Sequence, residues 1–406
     1  MVSCEVDRSK QTSPHTSGLT VYALGLSRYA TRGATLVTGV LLIEIGATFG
    51  LPVGVVNQIN ATHSLLSLLT ALAMGVLSIK FGLQVLFFAG LSLALVAAAG
   101  CFLAPSFQVL FLLYSLNGIA WSLIYPMSVA LVGELVSEEK RADAMSKLFA
   151  VPPIITVFGA PLVGYIGDWR RALLLYAIPI AAISLIFAKL SIPPQETRGK
   201  KVELASAFRT LLTNRSALTC LTYFLLSSIT WQIVGVLSIS FLREHHHLSK
   251  GLTSIIYSGF AIAVFAGALS GGRIVNRYGR KTSTVLITLA YGLMALLFVL
   301  VPNAYVAAAL GVLTCLLAGL RQPAINSLTV EQIPEIRGSI MSLSSASQSL
   351  GGLLGASVAG FLLLNYGWVV AGVFLGSAAI LAGLILLAFA RDPTAEKSRA
   401  SEQSVE

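Results

Sequence analysis

The sequence predicts an all-α membrane protein whose twelve transmembrane helices form two parallel six-helix repeats. Three observations support this class: 56% of the 406 residues are apolar, only 11% are charged, and the apolar residues come in long uninterrupted blocks. A soluble domain usually carries about 25% charged residues. The blocks, each roughly 20 residues long, match the thickness of a bilayer core, and without period-2 alternation they indicate helices rather than strands.

Twelve blocks of spanning length follow one another along the chain. The longest internal connector is rich in proline, glycine and lysine, and this change in composition predicts a linker between two halves. The predicted organisation is a cytoplasmic tail (1–33), a six-helix bundle (34–191), the linker (192–216), a second six-helix bundle (217–390) and a cytoplasmic tail (391–406). The predicted spans are 34–55, 61–79, 85–104, 107–132, 148–167, 172–191, 217–241, 252–272, 283–302, 304–328, 340–364 and 369–390.

The distribution of charge predicts the orientation. The formal net charge is +10, but the basic residues occupy short connectors between apolar blocks, which argues against a nucleic-acid partner. With both termini in the cytoplasm, most of the 27 lysines and arginines fall on the cytoplasmic side, as the positive-inside rule requires. We therefore expect both termini in the cytoplasm and the protein in the cell membrane, with the lipid bilayer as its surroundings.

No pattern in the sequence indicates an enzyme, a metal site or a cofactor. The four cysteines lack the spacing of a metal site or a disulfide framework. His245, His246 and His247 are adjacent, and neighbouring residues on a helix do not face one ligand sphere. The chain has no nucleophile elbow, paired catalytic acids or phosphate-binding loop, which argues against direct coupling to ATP.

The two halves repeat each other. When the chain is shifted by 196 residues, the end of the first half overlays the end of the second, including an arginine outside the apolar blocks. Two parallel repeats suit alternating access, in which the halves rock around a site near the middle of the membrane. The matching pairs are Arg141 with Arg337, Met145 with Met341, Ser146 with Ser342, Gly159 with Gly355, Ala160 with Ala356, and Gly164 with Gly360.

Two related connectors, after the second and eighth spans, combine glycine with basic residues. Glycine permits a tight turn between helices, and basic residues at the cytoplasmic surface can pair with acidic groups or helix C-termini. We interpret both connectors as gating elements. The first contains Gly75, Lys80 and Gly82, and the second contains Gly272, Asn276, Arg277, Gly279, Arg280 and Lys281.

This pattern resembles the signature loop of the major facilitator superfamily, and the resemblance covers nearly the whole chain. Ile79 and Asn276 stand where the family usually has an acidic residue. The resemblance implies a monomeric transporter whose first, fourth, seventh and tenth helices line a central cavity. Tyr114 stands where many proton-coupled members of the family have an arginine.

The fourth and seventh spans each carry a face of aromatic and hydrogen-bonding residues. Such faces describe a site for a mid-sized amphipathic organic molecule, although any one of the residues could simply pack between helices. The candidate binding residues on these spans are Tyr114, Asn117, Trp121, Tyr125, Ser228 and Trp231.

Two charges fall well inside the predicted spans, away from their ends, where a charge is costly and usually functional. Glu44 lies in the first span, and Arg321 lies in the tenth, followed by Gln322 and Asn326. Three interpretations compete. Glu44 could carry a proton, Arg321 could hold an anionic substrate by a bidentate contact, or the charges could be structural, as a mutual pair or with Arg321 reaching the interface.

The fifth span contains a glycine and proline motif, Gly159, Pro161 and Gly164. It resembles a motif associated with exporters of the family, and close helix packing explains it equally well. Our first hypothesis is proton-coupled efflux of a small organic solute by an antiporter. The second is uptake or facilitated diffusion of an organic anion. The third is a receptor or scaffold that does not transport.

Overall fold

A computed structural model describes residues 18–136, 138–193, 214–333 and 337–392 of the chain. Throughout these residues the regular secondary structure is helical, which confirms the predicted all-α fold. The tail residues 1–17 and 393–406 and most of the predicted linker, residues 194–213, lie outside the described residues.

The first half contains six membrane-length helices, here α1 to α6. Helix α1 has three segments, Gly18–Ser27, Ala30–Val40 and Leu42–Phe49, and bends by 67° at Leu41. A single turn, Val53–Val56, leads into α2. The others are α2 (Gln58–Phe81), α3 (Leu83–Leu103), α4 (Phe107–Leu135), α5 (Glu138–Ile166) and α6, which runs as Trp169–Ala172, a π-helical turn Leu173–Ala177, and Ile178–Ser191.

The second half repeats this pattern as α7 to α12. Helix α7 runs as Arg215–Trp231, a π-helical turn Gln232–Val236, and Ser238–Glu244. It is followed by α8 (Lys250–Tyr278), α9 (Arg280–Leu300) and α10 (Ala304–Val330). The continuous helix Arg337–Phe389 has a non-helical residue at Gly367, which divides it into α11 (337–366) and α12 (368–389).

These twelve helices account for the candidate membrane spans. By length and hydropathy, nine helices of the described ranges can cross a membrane, and the bent α1 makes ten. One of the nine is Leu343–Phe389, which Gly367 divides into two spans. The twelfth is α2, a 24-residue helix whose outer turns are more polar because they contain Gln58, Asn60 and His63.

The loop glycines show the internal repeat in the backbone. Gly82 between α2 and α3 has φ of 74°, and its counterpart Gly279 between α8 and α9 has φ of 83°. Gly167 and Gly367 occupy a second pair of equivalent turns, with φ of 72° and 79°. Residues with a Cβ rarely adopt this left-handed region, so each glycine allows two helices to join through one residue.

The beginning of α1 differs from the sequence prediction. The prediction placed residues 18–33 in a cytoplasmic tail, whereas α1 begins at Gly18 and buries Arg28 and Thr31. The positive-inside rule assigned the two arginines of this segment, Arg28 and Arg32, to a loop. In the folded protein both lie on the face of α1 that meets the aromatic side chains of α4 and α5.

Following the predicted orientation, we call the side where α1 begins the inner side and the opposite side the outer side. Near the outer side, α2 packs against α11, and the Asn57 side chain donates a hydrogen bond to the Ala356 carbonyl at 3.2 Å. A Cβ on Gly54 would lie 2.8 Å from the Gly360 carbonyl oxygen, so only glycine permits this approach. The two halves are therefore tightly closed against each other at the outer side.

Candidate functional site

Glu44 lies at the closed outer side, in an ion pair that joins the two halves. Its carboxylate accepts two hydrogen bonds from the Arg243 guanidinium, each of 2.8 Å, and the Lys250 ammonium lies 3.4 Å away. The same ammonium donates a hydrogen bond to the Gly167 carbonyl at 3.1 Å. We call Glu44, Arg243, Lys250 and Gly167 the outer latch, because they connect α1 and the α5–α6 turn to α7 and α8.

This position differs from the one the sequence suggested for Glu44. Because α1 begins at Gly18, Glu44 follows more than 20 helical residues, and a rise of about 1.5 Å per residue carries it beyond mid-membrane. Glu44 and Arg321 also have different partners, since Arg321 contacts two tyrosines of the second half. The alternative of a mutual Glu44–Arg321 pair is therefore wrong.

Arg28 is the most deeply placed charge of the first half. Its side chain is 4% exposed, and its guanidinium carbon lies 3.9 Å from the ring centre of Tyr125 and 4.2 Å from that of Phe149. Among the described residues, its Nε and Nη1 atoms have no hydrogen-bond partner. A guanidinium held between two aromatic faces keeps its charge, and two of its nitrogens, both buried, have N–H donors that are not used.

Arg32 lies one helical turn further along α1. Its guanidinium carbon lies 4.9 Å from the ring centre of Trp121, and Trp121 in turn packs against Tyr125 at 5.0 Å between ring centres. The residue is exposed, although its neighbours Thr31 and Gly33 are buried. The two aromatic rings of α4 therefore pack on each other with one arginine of α1 against each ring, and we call these four residues the arginine ladder.

The surroundings of Arg32 place it in the centre of the molecule. Its charge acts electrostatically on His63 of α2 and on Tyr257 of α8, which belongs to the other half. We infer that this exposed side chain, near groups of α2, α4 and α8, lines a cavity between the halves. Because the halves are closed at the outer side, this cavity faces inward.

Arg321 is the corresponding charge of the second half. It is 6% exposed, its Nη1 donates a hydrogen bond to the Tyr223 hydroxyl at 3.3 Å, and its guanidinium carbon lies 4.6 Å from the ring centre of Tyr291. Its Nε has no partner in the part of the chain that the structure describes. The Tyr223 hydroxyl also contacts the Thr288 hydroxyl at 3.0 Å, so the hydrogen-bonded tyrosine is held in place on one side.

The two arginine sites occupy equivalent places in the repeat. A shift of 196 residues carries Tyr125 onto Arg321, and it carries Arg28 to Phe224, one residue from Tyr223. In each half, an arginine and a tyrosine therefore lie on an equivalent pair of helices, α1 with α4 and α7 with α10. The arginine is on the first helix of the pair in the first half and on the second helix of the pair in the second half. All four residues lie roughly 13 Å from the inner ends of their helices, at a rise of about 1.5 Å per residue.

No carboxylate balances these charges in the described part of the chain. The contacts of Arg28 and Arg321 are with aromatic rings and hydroxyls only. The acidic side chains whose surroundings are described lie at helix ends: Glu44, Asp168 and Glu244 on the outer side, and Glu331 and Asp392 on the inner side. Within the described ranges, the middle of the protein is therefore positively charged, which favours an anionic ligand.

Tyr114 and Asn117, the remaining candidates on α4, make contacts within the first half. The Tyr114 hydroxyl lies 3.5 Å from the Asn60 side-chain oxygen, and its ring lies 5.8 Å from the His63 ring. Asn117 donates a hydrogen bond to the Thr31 carbonyl at 3.1 Å and so fixes α4 against α1. Asn117 is fully covered, which suits a positioning role better than contact with a ligand.

The candidates of the second half lie around Arg321. Ser228 is half-buried on α7, and Trp231 packs beside Tyr291 at the start of the π-helical turn. On α10 the side chains of Gln322 and Asn326 are half-buried and lie 3.5 Å apart, one helical turn from each other. Both helices therefore present polar atoms near the arginine.

The predicted gating connectors are tight turns at the inner side. Arg277 stacks on Tyr278 at 5.5 Å, Arg280 lies 3.5 Å from the Glu331 carboxylate, and the backbone N–H of Lys281 donates to Asp392 at 3.2 Å. These contacts hold the α8–α9 turn to the ends of α10 and α12. The side chains of Lys80 and Asn276, and the surroundings of Gly75 and Gly272, lie outside the described residues.

The glycine motif of α5 lies at two helix contacts. A Cβ at Gly159 would collide with the Tyr176 hydroxyl, and one at Gly164 would collide with the Ser254 side chain of α8. Gly164 therefore lies between the halves, and Pro161 occupies the turn between the two glycines. Nearby, Ser258 of α8 donates a hydrogen bond to the Val157 carbonyl at 2.8 Å. The packing interpretation of the motif accounts for this geometry.

The three adjacent histidines form a packed outer cluster. His245 stacks on Phe241 at 5.2 Å between ring centres, and His246 meets the same ring edge-on at 5.1 Å. Burial and the two neighbouring histidines lower the pKa of His246. The nearby Glu244 accepts a hydrogen bond from the Trp368 indole, and burial raises the pKa of its carboxyl group. The described residues contain no group of three or more His, Cys, Asp and Glu suited to a metal ion.

Sequence reasoning missed Arg28, Arg32, His63 and Phe149 as candidates. The signal in the sequence was the spacing of the two arginines, four residues apart within a segment that otherwise fits a helix. Their partners could not be found in the same way, because Tyr125 and Phe149 are about a hundred residues distant and only the fold brings them together.

Known proteins resemble the chain throughout its length. The family profile described as Major Facilitator Superfamily matches residues 24–241 and again 219–405. The uncharacterized MFS-type transporter YwfA of Bacillus subtilis is 24% identical over 97% of each chain. The solved structure of a D-xylose-proton symporter superposes with a TM-score of 0.75 at 15% identity, covering 92% of this chain and 98% of its own.

Two further relatives match only part of the chain. The multidrug transporter protein MdtP of Bacillus subtilis is 24% identical over 41% of this chain and 32% of its own. A gallate transporter of Pseudomonas putida is 24% identical over 37% of this chain and 33% of its own.

Proposed function

Because this chain belongs to the Major Facilitator Superfamily, a family of multi-pass membrane transporters and not of enzymes, we propose that it moves a small organic anion. The observation that carries the proposal is Arg28, a buried guanidinium with two unpaired nitrogens between two aromatic rings. A buried cation without a carboxylate partner is costly, and an anionic substrate would offset that cost.

The chemistry of the cavity indicates an aromatic or amphipathic carboxylate. Arginine binds carboxylates through two parallel hydrogen bonds, which fix orientation as well as charge. Trp121, Tyr125 and Phe149 supply apolar faces around the two arginines of α1, and an aromatic body can pack against such faces. The similarity to a gallate transporter, a protein named for an aromatic carboxylate, supports this class of substrate.

The transport cycle follows from two repeats that close on opposite sides. In the inward-facing conformation described above, the substrate reaches Arg28 and Arg32 from the inner side while the outer latch excludes the outside. Rocking of the halves breaks the latch and exposes the same site outward. Because each half supplies an arginine at the same depth, the anion is positioned to contact both halves and to favour their approach.

Proton-coupled efflux of a drug-like solute through Glu44 is the competing proposal. Its support is the similarity to MdtP and the exporter-like motif of α5. In the described conformation, however, both oxygens of Glu44 are paired with Arg243. We therefore propose that Glu44 acts as part of the latch, and that the anion site is formed by the arginines.

The orientation and assembly belong to the same proposal. We place both termini in the cytoplasm and the protein in the cell membrane, because the inner side carries most of the basic residues. We take the working unit to be a monomer, since both arginine sites lie within one chain.

Ligand-dependent thermal stabilisation of the purified protein in detergent tests this proposal. The ligands are benzoate and 2-naphthoate, their uncharged amides, and a set of lipophilic cations. A ligand that binds only the native state raises the melting temperature by mass action. We expect stabilisation by the two carboxylates and none by the amides, which have the same shape without the charge.

Two variants make the result specific. Arg28→Gln removes the proposed charge and is expected to abolish the stabilisation by carboxylates. Arg171→Gln is the matched control, because Arg171 lies on the outer surface, away from the cavity. Stabilisation by lipophilic cations alone would contradict the anion proposal and support drug efflux.

A further inference from the structure

His63 is a titratable side chain of the cavity that the proposed anion site does not use. It lies on α2, half-buried, with its ring 5.8 Å from the Tyr114 ring. Among the described residues, no side chain or carbonyl makes a hydrogen bond to its ring nitrogens. The Tyr114 hydroxyl itself is engaged with Asn60 and interacts with Thr38 of α1.

The position of His63 between the inner and outer sides follows from these neighbours. Thr38 lies six residues beyond Arg32 along α1 and six residues before Glu44. His63 is therefore between the arginine ladder and the outer latch, at the closed end of the inward-facing cavity. The charge of Arg32 acts electrostatically on His63.

The charged and titratable groups that face His63 come from two neighbouring helices. They are Arg32 of α1 and Tyr114 of α4. Where α11 packs on this part of α2, the described contacts are between uncharged groups, such as Ser64 beside Gly352. Arginine stays charged and tyrosine ordinarily titrates near pH 10, whereas histidine ordinarily titrates near pH 6.5.

We propose that His63 binds a proton together with the anionic substrate, so that the protein carries the two in the same direction. This inference rests on the proposed function, since it requires an anion beside Arg32. No bond is made or broken: the proton adds to a ring nitrogen from water on one side of the membrane and leaves to water on the other.

The coupling has an electrostatic cause. With the cavity empty, a proton on His63 places a second positive charge near Arg32 in surroundings of low dielectric constant, which is unfavourable. A carboxylate bound at the arginines offsets the charge of Arg32 and adds an attraction to the protonated ring. The proton and the anion therefore favour each other's binding, and this linkage is reciprocal.

The position of His63 also suits a role in alternating access. It lies near the beginning of α2, next to the segment where Gly54 and Asn57 contact α11. These helices must separate when the outer side opens. The proton that His63 binds together with the substrate is therefore close to the contact with α11, which must break when the outer side opens.

Proton uptake on ligand binding tests the inference. Purified protein in weakly buffered detergent solution near pH 7 receives benzoate, and a pH electrode records the protons taken up while binding is measured in parallel. We expect the wild type to take up as much as about one proton per benzoate bound. His63→Gln should bind benzoate, more weakly, and take up none.

A second measurement covers the case in which His63→Gln does not fold. In wild-type protein with nitrogen-15-labelled histidine, the imidazolium signal of His63 should grow when benzoate is added at constant pH. His15 lies in the N-terminal segment, and His245, His246 and His247 in the outer cluster, so these four serve as internal references.

The outcomes separate the two proposals. If benzoate binds without proton uptake, or His63→Gln takes up protons as the wild type does, the His63 inference fails and the anion proposal stands. If the folded wild type binds no benzoate or other carboxylate, the proposed function fails and the inference fails with it. If uptake depends on His63 and the imidazolium signal grows, the inference is supported.

Discussion

The two halves of the protein hold their buried arginines in different ways. In the first half, Arg28 lies between the faces of Tyr125 and Phe149, and two of its nitrogens have no partner among the described residues. In the second half, Arg321 donates a hydrogen bond to Tyr223, and one of its nitrogens has no partner in the same part of the chain. The repeat places both arginines at the same depth in the membrane. The two sites therefore differ in the number of guanidinium nitrogens that have no partner among the described residues.

This comparison indicates that the two halves contribute differently to anion binding. The aromatic faces stabilise the Arg28 guanidinium while its Nε and Nη1 have no hydrogen-bond partner among the described residues, so we expect these two nitrogens to bind the anion. The tyrosine hydroxyl uses one of the N–H groups of Arg321. We therefore expect the first half to provide most of the binding energy, and the second half to sense the bound anion as the halves approach.

The largest effect should come from Arg28. Arg28→Gln removes a charge that makes charge-assisted hydrogen bonds to the substrate, each worth about 1.5–3 kcal/mol. We expect benzoate binding to weaken by about 100-fold. Equilibrium binding of radiolabelled benzoate measures this, with the Arg171→Gln variant as the control.

Arg321→Gln should weaken the same binding less, by about tenfold, because Arg321 already shares its donors with Tyr223. If Arg321→Gln proves as damaging to binding as Arg28→Gln in two equally stable variants, the proposed division between the halves is wrong. A comparison of the melting temperatures of the two variants supplies the required stability control.

The outer latch should determine the relative populations of the inward-open and outward-open conformations. Glu44→Gln removes the charge from the bidentate pair with Arg243, which we expect to shift the populations towards an outward-open state by about tenfold. The measurement is the labelling rate of a cysteine introduced at Thr35 by an impermeant thiol reagent added outside. Arg243→Gln should give a similar rate, and unchanged labelling in both would show that the pair does not act as a latch.

The two smallest effects should come from the tyrosines beside the arginines, Tyr223 and Tyr125. Tyr223→Phe removes the hydroxyl that accepts from Arg321 but keeps the ring, and a neutral hydrogen bond contributes about 0.5–1.5 kcal/mol. We expect benzoate binding to change by no more than about threefold to tenfold. Tyr125→Phe keeps the face that stacks on Arg28 and should change binding still less, so the reverse order would contradict the comparison.

The sequence predicted the fold well because membrane helices are determined by local composition. Twelve apolar blocks and a repeat at 196 residues correspond to twelve helices and to equivalent glycine turns, such as Gly82 with Gly279. The first helix was placed too late, since Arg28 and Arg32 resemble loop residues when read in isolation. A buried arginine is recognised only when its partners are known.

The candidate site was predicted only in part, because helical spacing can be read from the sequence whereas contacts between distant residues cannot. The aromatic face of α4 was found from helical spacing, and Trp121 and Tyr125 indeed meet the arginines of α1. The partners of Glu44 could not be predicted, because Arg243 and Lys250 are about 200 residues away in the chain. The fold, which joins α1 to α7 and α8 at the outer side, determines that contact.

The most direct test of the anion proposal is exchange of radiolabelled benzoate in proteoliposomes loaded with unlabelled benzoate. Exchange requires binding and alternating access but no net driving force. We predict exchange by the wild type, near-complete loss in Arg28→Gln, and full inhibition by excess 2-naphthoate but not by 2-naphthamide. Exchange that persists unchanged in a well-folded Arg28→Gln protein, or inhibition by the amide equal to that by the acid, would contradict an anion site built on Arg28.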